Sequence, residues 1–382
     1  MKTPVRVALL GCGRIAQRYL TLFKDAGIAD AKLVAVADPV EERRANAAAV
    51  TSARPYPDLH AMMCAQGDAI DVVCVLTPSG LHPEHVVALS AYGKHIIVEK
   101  PMALDVRDAQ IMIDRCSAAG ARLFVVKQNR FNVPVIKMRS ALEQGRFGKL
   151  ITGSVRVRWS RDQAYYDQDA WRGTWAYDGG VFMNQASHHV DLLVWMLGEP
   201  VRVWATARRA LVDIETEDTG VAVITFANGA IGVVEATTAT RPKDLEGSLS
   251  LLGSGGTVVI GGFAVNKLET WRFTEARAED ADIVERYSEN PPDVYGYGHV
   301  RYLVHVIEAV RTGKPALVEG AEGLRSLALI NAIYESIATG REISLAGFEP
   351  RHGKLGRHLD AAHNQENSCH SALGTTKMSA SE

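Results

Sequence analysis

Gly11-Cys12-Gly13-Arg14-Ile15-Ala16 follows the apolar run Val5–Leu10 and opens a segment of helical periodicity, Ile15–Ala26. A strand that turns tightly on glycines into a helix points the unpaired N–H groups of the first helical turn outward, with the positive end of the helix dipole behind them. Such an end holds phosphate. Gly11 then permits the turn, Gly13 lets a pyrophosphate approach the backbone, and Ala16 allows close packing of helix on strand. Cys12, Arg14 and Ile15 complete this cofactor-facing loop. A second apolar run, Leu33–Ala37, ends in Asp38. A carboxylate there accepts from a ribose 2′-hydroxyl and repels a 2′-phosphate, so the expected dinucleotide is NAD rather than NADP. Arg43 and Arg44 read as a solvated helix face. Without a ligand, the same glycines would be an ordinary turn.

The texture continues outward from this motif. Val72–Leu76, His95–Val98 and Leu123–Val126 are further apolar runs, separated by helical patterns such as Pro83–Tyr92 and Asp105–Ala118. Runs that are apolar on both faces signal a parallel sheet covered by helices, here an α/β, doubly wound Rossmann domain over residues 1–127. Residues at the carboxyl ends of such strands line one crevice. This assigns Thr77, Pro78, His82, Glu99, Lys100 and Gln128 to the cofactor. Lys100 can also hydrogen-bond a reacting hydroxyl, stabilise the developing alkoxide and, with a lowered pKa, take its proton. A plain surface lysine after a strand is the competing reading.

After Asn129 the pattern changes to longer, alternating runs: Ile151–Trp159, Val201–Leu211, Gly220–Phe226, Ala230–Thr238, Gly247–Leu252 and Thr257–Gly261. Asn228-Gly229 predicts a type I′ hairpin. Residues 128–297 therefore read as an α+β domain with a large open antiparallel sheet and a helix-rich insertion near residues 180–198. Two helices within 298–346 return to the first domain, and 347–382 reads as a disordered tail. A helix from about Phe182 places Asn184, His188, Asp191 and Trp195 on one line, with Val190, Leu193, Val194 and Leu197 as the core stripe. His189 points elsewhere and reads as structural. Upstream, Arg156 to Arg161, Tyr165-Tyr166 and Trp171-Arg172-Gly173-Thr174-Trp175 concentrate aromatic and guanidinium groups, which stack on rings and clamp phosphate or carboxylate.

Bulk composition narrows the function classes. A formal net charge of −2 over 382 residues gives no drive toward nucleic acid or anionic membrane. The start shows no leader-like apolar segment, and no apolar run is long enough to span a bilayer. Five dispersed cysteines suit reduced thiols in a cytoplasm. Four tail histidines lack metal-ligand spacing, so no metal is expected.

Gly11–Ala16, Glu99-Lys100-Pro101 and the His188/Asp191 pair, in that order, resemble the Gfo/Idh/MocA oxidoreductase family over nearly the whole chain to about Leu345. Five longer stretches are similar to the UDP-N-acetylglucosaminuronate 3-dehydrogenases of the WlbA/WbpB type. They are 124–132, 171–175, 183–188, Pro242-Lys243-Asp244-Leu245-Glu246-Gly247-Ser248 and 290–299. The resemblance implies bound NAD and oxidation of the C3 hydroxyl of a UDP-N-acetyl-glucosaminuronic acid to the 3-keto sugar, on the way to diamino-uronic acids of surface polysaccharide. It makes Lys100 and His188 the acid/base pair, with Asn184 beside them. Many relatives carry Asp at position 184, so proton transfer by a carboxylate at that spot is excluded here. Substrate contacts fall to Lys100, Asn129, Arg158, Tyr166, Trp171, Arg172, Asn184, Ser187 and His188, with Arg158, Arg172 and Asn129 for the uronate or diphosphate. It also implies 2-oxoglutarate as an acceptor that reoxidises the NADH, as in some relatives, and a homotetramer formed through the open sheet. Two other readings stay open: a different sugar or inositol dehydrogenase of the family, and a non-catalytic NAD-sensing regulator, which the presence of both Lys100 and His188 disfavours.

Overall fold

The computed structural model describes residues 3–24, 28, 30–288, 291, 296–351, 353–357 and 359. Strands β1 (Val5–Leu10), β2 (Ala31–Ala37), β3 (Arg54–Tyr56), β4 (Val72–Val75), β5 (His95–Val98) and β6 (Leu123–Val125) pair in the order β3-β2-β1-β4-β5-β6. Every pairing is parallel. Alternate residues feed two separate cores. Leu10, Val73, Val75, Ile96 and Val98 pack on one face, and Val7, Leu9, Val72, Cys74 and Ile97 on the other. That is why these strands read as unbroken apolar runs. Strand order reverses between β1 and β4, which opens a crevice at their carboxyl ends. β3 escapes the sequence pattern because Arg54-Pro55-Tyr56 is short and carries a proline, tolerable only at a sheet edge.

The second sheet holds β7 (Leu150–Arg158), β8 (Pro200–Arg208), β9 (Thr219–Phe226), β10 (Ile231–Thr237), β11 (Glu246–Gly253), β12 (Gly256–Gly261), β13 (Lys267–Phe273) and β14 (Ile343–Ser344). Their order is β13-β12-β11-β7-β10-β9-β8-β14. Neighbours run antiparallel except β7 and β10, which are parallel. Val155, Val157, Leu249 and Leu251 share a core with Val190, Leu193 and Leu197 of the helix Ser187–Leu197. The other face stays open, with Ile151 and Ile231 each 50% exposed and Trp204 45%.

The hairpin at Asn228-Gly229 forms, but not as type I′. Gly229 N–H closes on Phe226 O at 2.9 Å, and Asn228 is not among the residues of positive φ. The turn is therefore of the three-residue kind, with only Gly229 (φ 83°) left-handed. The helix Gly298–Thr312 covers the first sheet through Tyr302, Leu303, Val306 and Ile307. The helix Gly320–Thr339 inserts Leu327, Leu329 and Ile330 into the core that both sheets share.

The tail expected to be disordered from Gly347 is instead attached where it is described. Leu355 is buried, Gly356 N–H donates to Trp175 O at 3.0 Å, and Leu359 N–H to Asp108 Oδ1 at 3.1 Å. This segment has no periodicity because a strap held by backbone bonds and one leucine needs none; the rest of the expected tail, from 360 onward, lies outside the described residues. Cys12, Cys74 and Cys116 are free and buried. Cys64 is not among them, and Cys369 lies outside the described residues. Among the described residues no helix is long and apolar enough to cross a membrane.

Candidate active site

The glycine turn is built as its sequence requires. Gly11 has φ 98°, and a Cβ there would stand 2.9 Å from the Leu76 carbonyl group, so only glycine fits between β1 and the end of β4. At Gly13 an added Cβ would meet nothing within 4 Å: the space in front of the helix N-terminus at Arg14 is open. Asp38 ends β2 with its carboxylate buried, accepting from Cys12 N–H and Val40 N–H, each at 2.8 Å. An open helix end with an acid at the second strand suits the pyrophosphate and ribose of a dinucleotide. Arg43 and Arg44 are more engaged than a solvated face: Arg44 donates to Asp38 O and Pro39 O, and Arg43 lies 3.7 Å from Asp169.

Glu99 and Lys100 leave β5 in different directions. Glu99 is buried, accepting from Tyr19 OH at 2.9 Å, and burial pushes its carboxyl up. It supports the strand end rather than facing the crevice. Lys100 Nζ donates to the backbone carbonyl of Asn184 at 2.9 Å. Removal from water lowers the Lys100 pKa, while Glu99 and Asp178 pull it back up.

The insertion that brings Asn184 there is not one continuous α-helix. Val181–Gln185 winds as a π-turn and the α-helix begins at Ser187. Wider turns of this kind re-aim side chains, and they recur at functional sites. Ser187 Oγ shares the Asn184 carbonyl at 3.2 Å. His188 is buried with no partner for Nε2. Burial holds its pKa well below the ordinary histidine range, and Lys100 is the strongest of the charges that add to this effect. A neutral imidazole beside a lysine of lowered pKa, with an unused ring nitrogen, is suited to taking and holding a hydroxyl proton.

Asp191 and Trp195 do not join this wall. Asp191 accepts from Arg130 Nε and Nη2 at 2.8 Å and lies 3.2 Å from Lys127 Nζ. Trp195 stacks between Arg130 and Arg139, 5.0 Å from each. Their line on the helix wheel is correct, but the cations behind it consume both groups.

The aromatic–arginine stretch needs two corrections. Arg158 lies on the open face of the sheet, where Glu235 (2.6 and 2.8 Å) and Glu246 (3.2 Å) neutralise it, so it does not face the crevice. Tyr166 is buried against Val212 and Ile214 with its hydroxyl on Thr238. Its neighbour Tyr165, missed in the sequence, is the residue at the site: Arg14, Arg161 and Arg172 lie 5.7, 5.3 and 4.7 Å from its ring. Its hydroxyl meets Arg172 Nη1 at 3.0 Å and Gln185 Nε2 at 3.3 Å. Arg172 also stacks on Trp171 at 4.6 Å, so these two predicted residues stay together. On the crevice loop after β4, His82 also departs from its expected role. Both ring nitrogens sit 2.9 Å from backbone carbonyls, of Thr77 and Pro101, which ties two crevice loops together and leaves nothing for a cofactor.

Thr77 and Pro78 remain on the crevice loop, and Gly80 welds that loop to the segment carrying Trp171 and Arg172. A Cβ on Gly80 would fall 2.1 Å from Ala176 O. Gln128 and Asn129 are buried on one short 3₁₀ turn, and Gln128 Oε1 has no partner. A second residue missed in the sequence is Asp178, buried, which accepts from Gly173 N–H at 2.7 Å and from the Asn184 amide.

Comparison with known proteins agrees with this geometry. Residues 5–127 match the family profile described as the NAD-binding Rossmann fold of the oxidoreductase family, and residues 139–345 its C-terminal alpha/beta domain. The chain belongs to the Gfo/Idh/MocA oxidoreductase family. As a member it is an NAD-dependent dehydrogenase of the sugar and polyol type. The WlbA dehydrogenase of Bordetella pertussis, solved with NADH and UDP-GlcNAcA, is 42% identical, with a TM-score of 0.83 over 90% of this chain and 98% of that one. The WlbA dehydrogenase of Chromobacterium violaceum, solved with the same two ligands, is 40% identical, with a TM-score of 0.84 over 90% and 96%. Myo-inositol 2-dehydrogenase of Thermotoga maritima is 29% identical over 89% of this chain and 98% of its own length.

Proposed function

We propose that this protein oxidises the C3 hydroxyl of a UDP-N-acetyl-glucosaminuronic acid to the 3-keto sugar, in a cytoplasmic route to diamino-uronic acids of surface polysaccharide. The observation that carries the chemistry is the pairing, over one crevice, of a lysine of lowered pKa with a buried histidine whose Nε2 is unused. NAD, when bound, accepts the hydride released from the carbinol carbon. Lys100 takes the hydroxyl proton as neutral amine, and the Asn184 carbonyl fixes its Nζ during the transfer. His188 stabilises the same oxygen through Nε2. Arg161 and Arg172 gather on Tyr165, each held by an aspartate (Asp244 at 2.9 Å, Asp169 at 3.1 Å), and together they present guanidinium faces and an aromatic edge that suit a nucleotide sugar. Likeness to the two WlbA dehydrogenases at 40–42% identity supports this substrate, against 29% for the inositol enzyme.

Two further parts of the reading belong with it. The apolar outer face, with Ile151, Trp204, Val223 and Ile231, supports assembly through the open sheet into a homotetramer. Reoxidation of the NADH by 2-oxoglutarate is the acceptor half of the cycle. The deciding experiment incubates the purified protein with NAD and, in parallel, UDP-N-acetyl-glucosaminuronic acid or myo-inositol. NADH absorbance with the nucleotide sugar alone, and a product two mass units lighter, is the expected outcome. NADH formation from myo-inositol alone would assign the chain to the inositol enzymes.

A further inference from the structure

Asp178 lies outside every motif of the sequence, yet it is the only carboxylate bonded to Asn184 among the described residues. Its remaining bond, from Gly173 N–H, anchors it to the segment that carries Trp171 and Arg172. An ionised carboxylate only accepts, so it faces the NH₂ end of the Asn184 amide. Gln185 Nε2 donates to the other end, Asn184 Oδ1, at 3.1 Å, and so favours the same orientation. The Asn184 backbone carbonyl meanwhile holds Lys100.

We propose that Asp178 is a positioning residue that locks the Asn184 side chain with its carbonyl oxygen toward the bound sugar, restoring at position 184 the acceptor that an aspartate would supply. With its NH₂ tied to Asp178, the amide presents Oδ1, which keeps one lone pair free beside its bond from Gln185. That lone pair accepts from a donor group next to the reacting carbon, which fixes the sugar ring so that the reacting hydroxyl points its one proton at Lys100. The inference rests on the proposed oxidation of a sugar hydroxyl at this crevice.

The lock has its own pH dependence. Burial raises the Asp178 carboxyl to about 6, while Gly173 N–H, Asn184, Arg172 and Lys100 oppose the rise. Glu217 and Tyr166 also act across the same space. Once protonated, Asp178 can donate to the amide, and the Asn184 side chain is free to turn over. Turnover should therefore fall on the acid side of about pH 6 through this group.

The test compares wild type, Asp178→Asn and the exchanged pair Asp178→Asn/Asn184→Asp, using NADH formation across pH 5–9. Asp178→Asn should lower kcat roughly tenfold to a hundredfold with KM nearly unchanged, the scale of a misaligned reacting group. Its acid limb near pH 6 should vanish. The exchanged pair, which puts the carboxylate at 184 and the amide at 178, should recover most of the lost kcat. A merely structural aspartate would lower stability without reshaping the pH profile, and exchange would not rescue it. Wild-type kcat and an unchanged acid limb in Asp178→Asn would overturn the proposal. So would an exchanged pair as slow as the single variant. A wild type inactive on all sugars tested would instead remove the underlying reading.

Discussion

Two groups of polar residues meet at the helix Ser187–Leu197, and they are satisfied in opposite ways. On the crevice side, Lys100 has one backbone carbonyl, and His188 Nε2 and Gln128 Oε1 have no partner at all. Behind it, Asp191 is held by Arg130 and Lys127, Arg130 also binds Glu322 at 3.0 Å, and Lys127 binds Ser326 at 2.8 Å. Burial pushes the Asp191 carboxyl up, but the two cations more than offset this and hold it below the usual range. His188 and Gln128 are buried, as are Asp191, Arg130 and Lys127, so burial does not separate working residues from scaffold. Saturation does. An unpaired buried polar atom is costly, and on the wall of an open crevice a bound ligand can pair it.

The contrast can be broken in order of expected effect. Lys100→Ala should lower kcat by about 10²–10⁴, the range for loss of a proton-transferring group. NAD binding, followed by NADH or NAD fluorescence titration, should be retained. Normal turnover in this variant would end the assignment. Asp191→Ala should do the reverse. It leaves Arg130 and Lys127 buried with one carboxylate fewer and should cost about 3–5 kcal/mol of stability in chemical denaturation. An Asp191→Ala protein of wild-type stability but no activity would move Asp191 to the working side.

Glu217 tests an intermediate case. It bonds Tyr334 OH at 2.7 Å and Phe182 N–H at 3.2 Å through Oε1, and Oε2 is unpaired. Burial raises its carboxyl from 4.5 to about 7. The folded protein keeps a proton that the unfolded chain releases, so stability should fall as pH rises from about 4.5 to about 7. Glu217→Gln should flatten that part of the stability profile, and an unchanged slope would show that the proton resides elsewhere. The smallest effect belongs to Arg158→Ala. Its salt bridges lie on the open sheet, so kcat/KM should change by less than about twofold, and only assembly state should respond. A large rise in KM would bring Arg158 back to the substrate.

Much of this arrangement was legible residue by residue. The glycine turn, Asp38 and Lys100 were found because each follows a strand whose apolar run is visible locally, and topology delivers strand ends to one crevice. The misplacement of Arg158 was avoidable: Val155-Arg156-Val157-Arg158 alternates, and the valines face the core, so the arginines cannot. Tyr165 and Tyr166 could not be told apart, since a four-residue helix, Gln163–Tyr166, offers no periodicity to orient them.

The parallel sheet, the dinucleotide turn and the lysine at its edge can be read along the chain, because hydrophobic period and glycine geometry are local properties. Which buried polar groups are spent and which are left open is set by folding. Arg130 lies 61 residues from Asp191, and Lys100 lies 84 from Asn184. Whether a polar atom is satisfied depends on what folding carries to within 3 Å of it, and no window of sequence contains that partner.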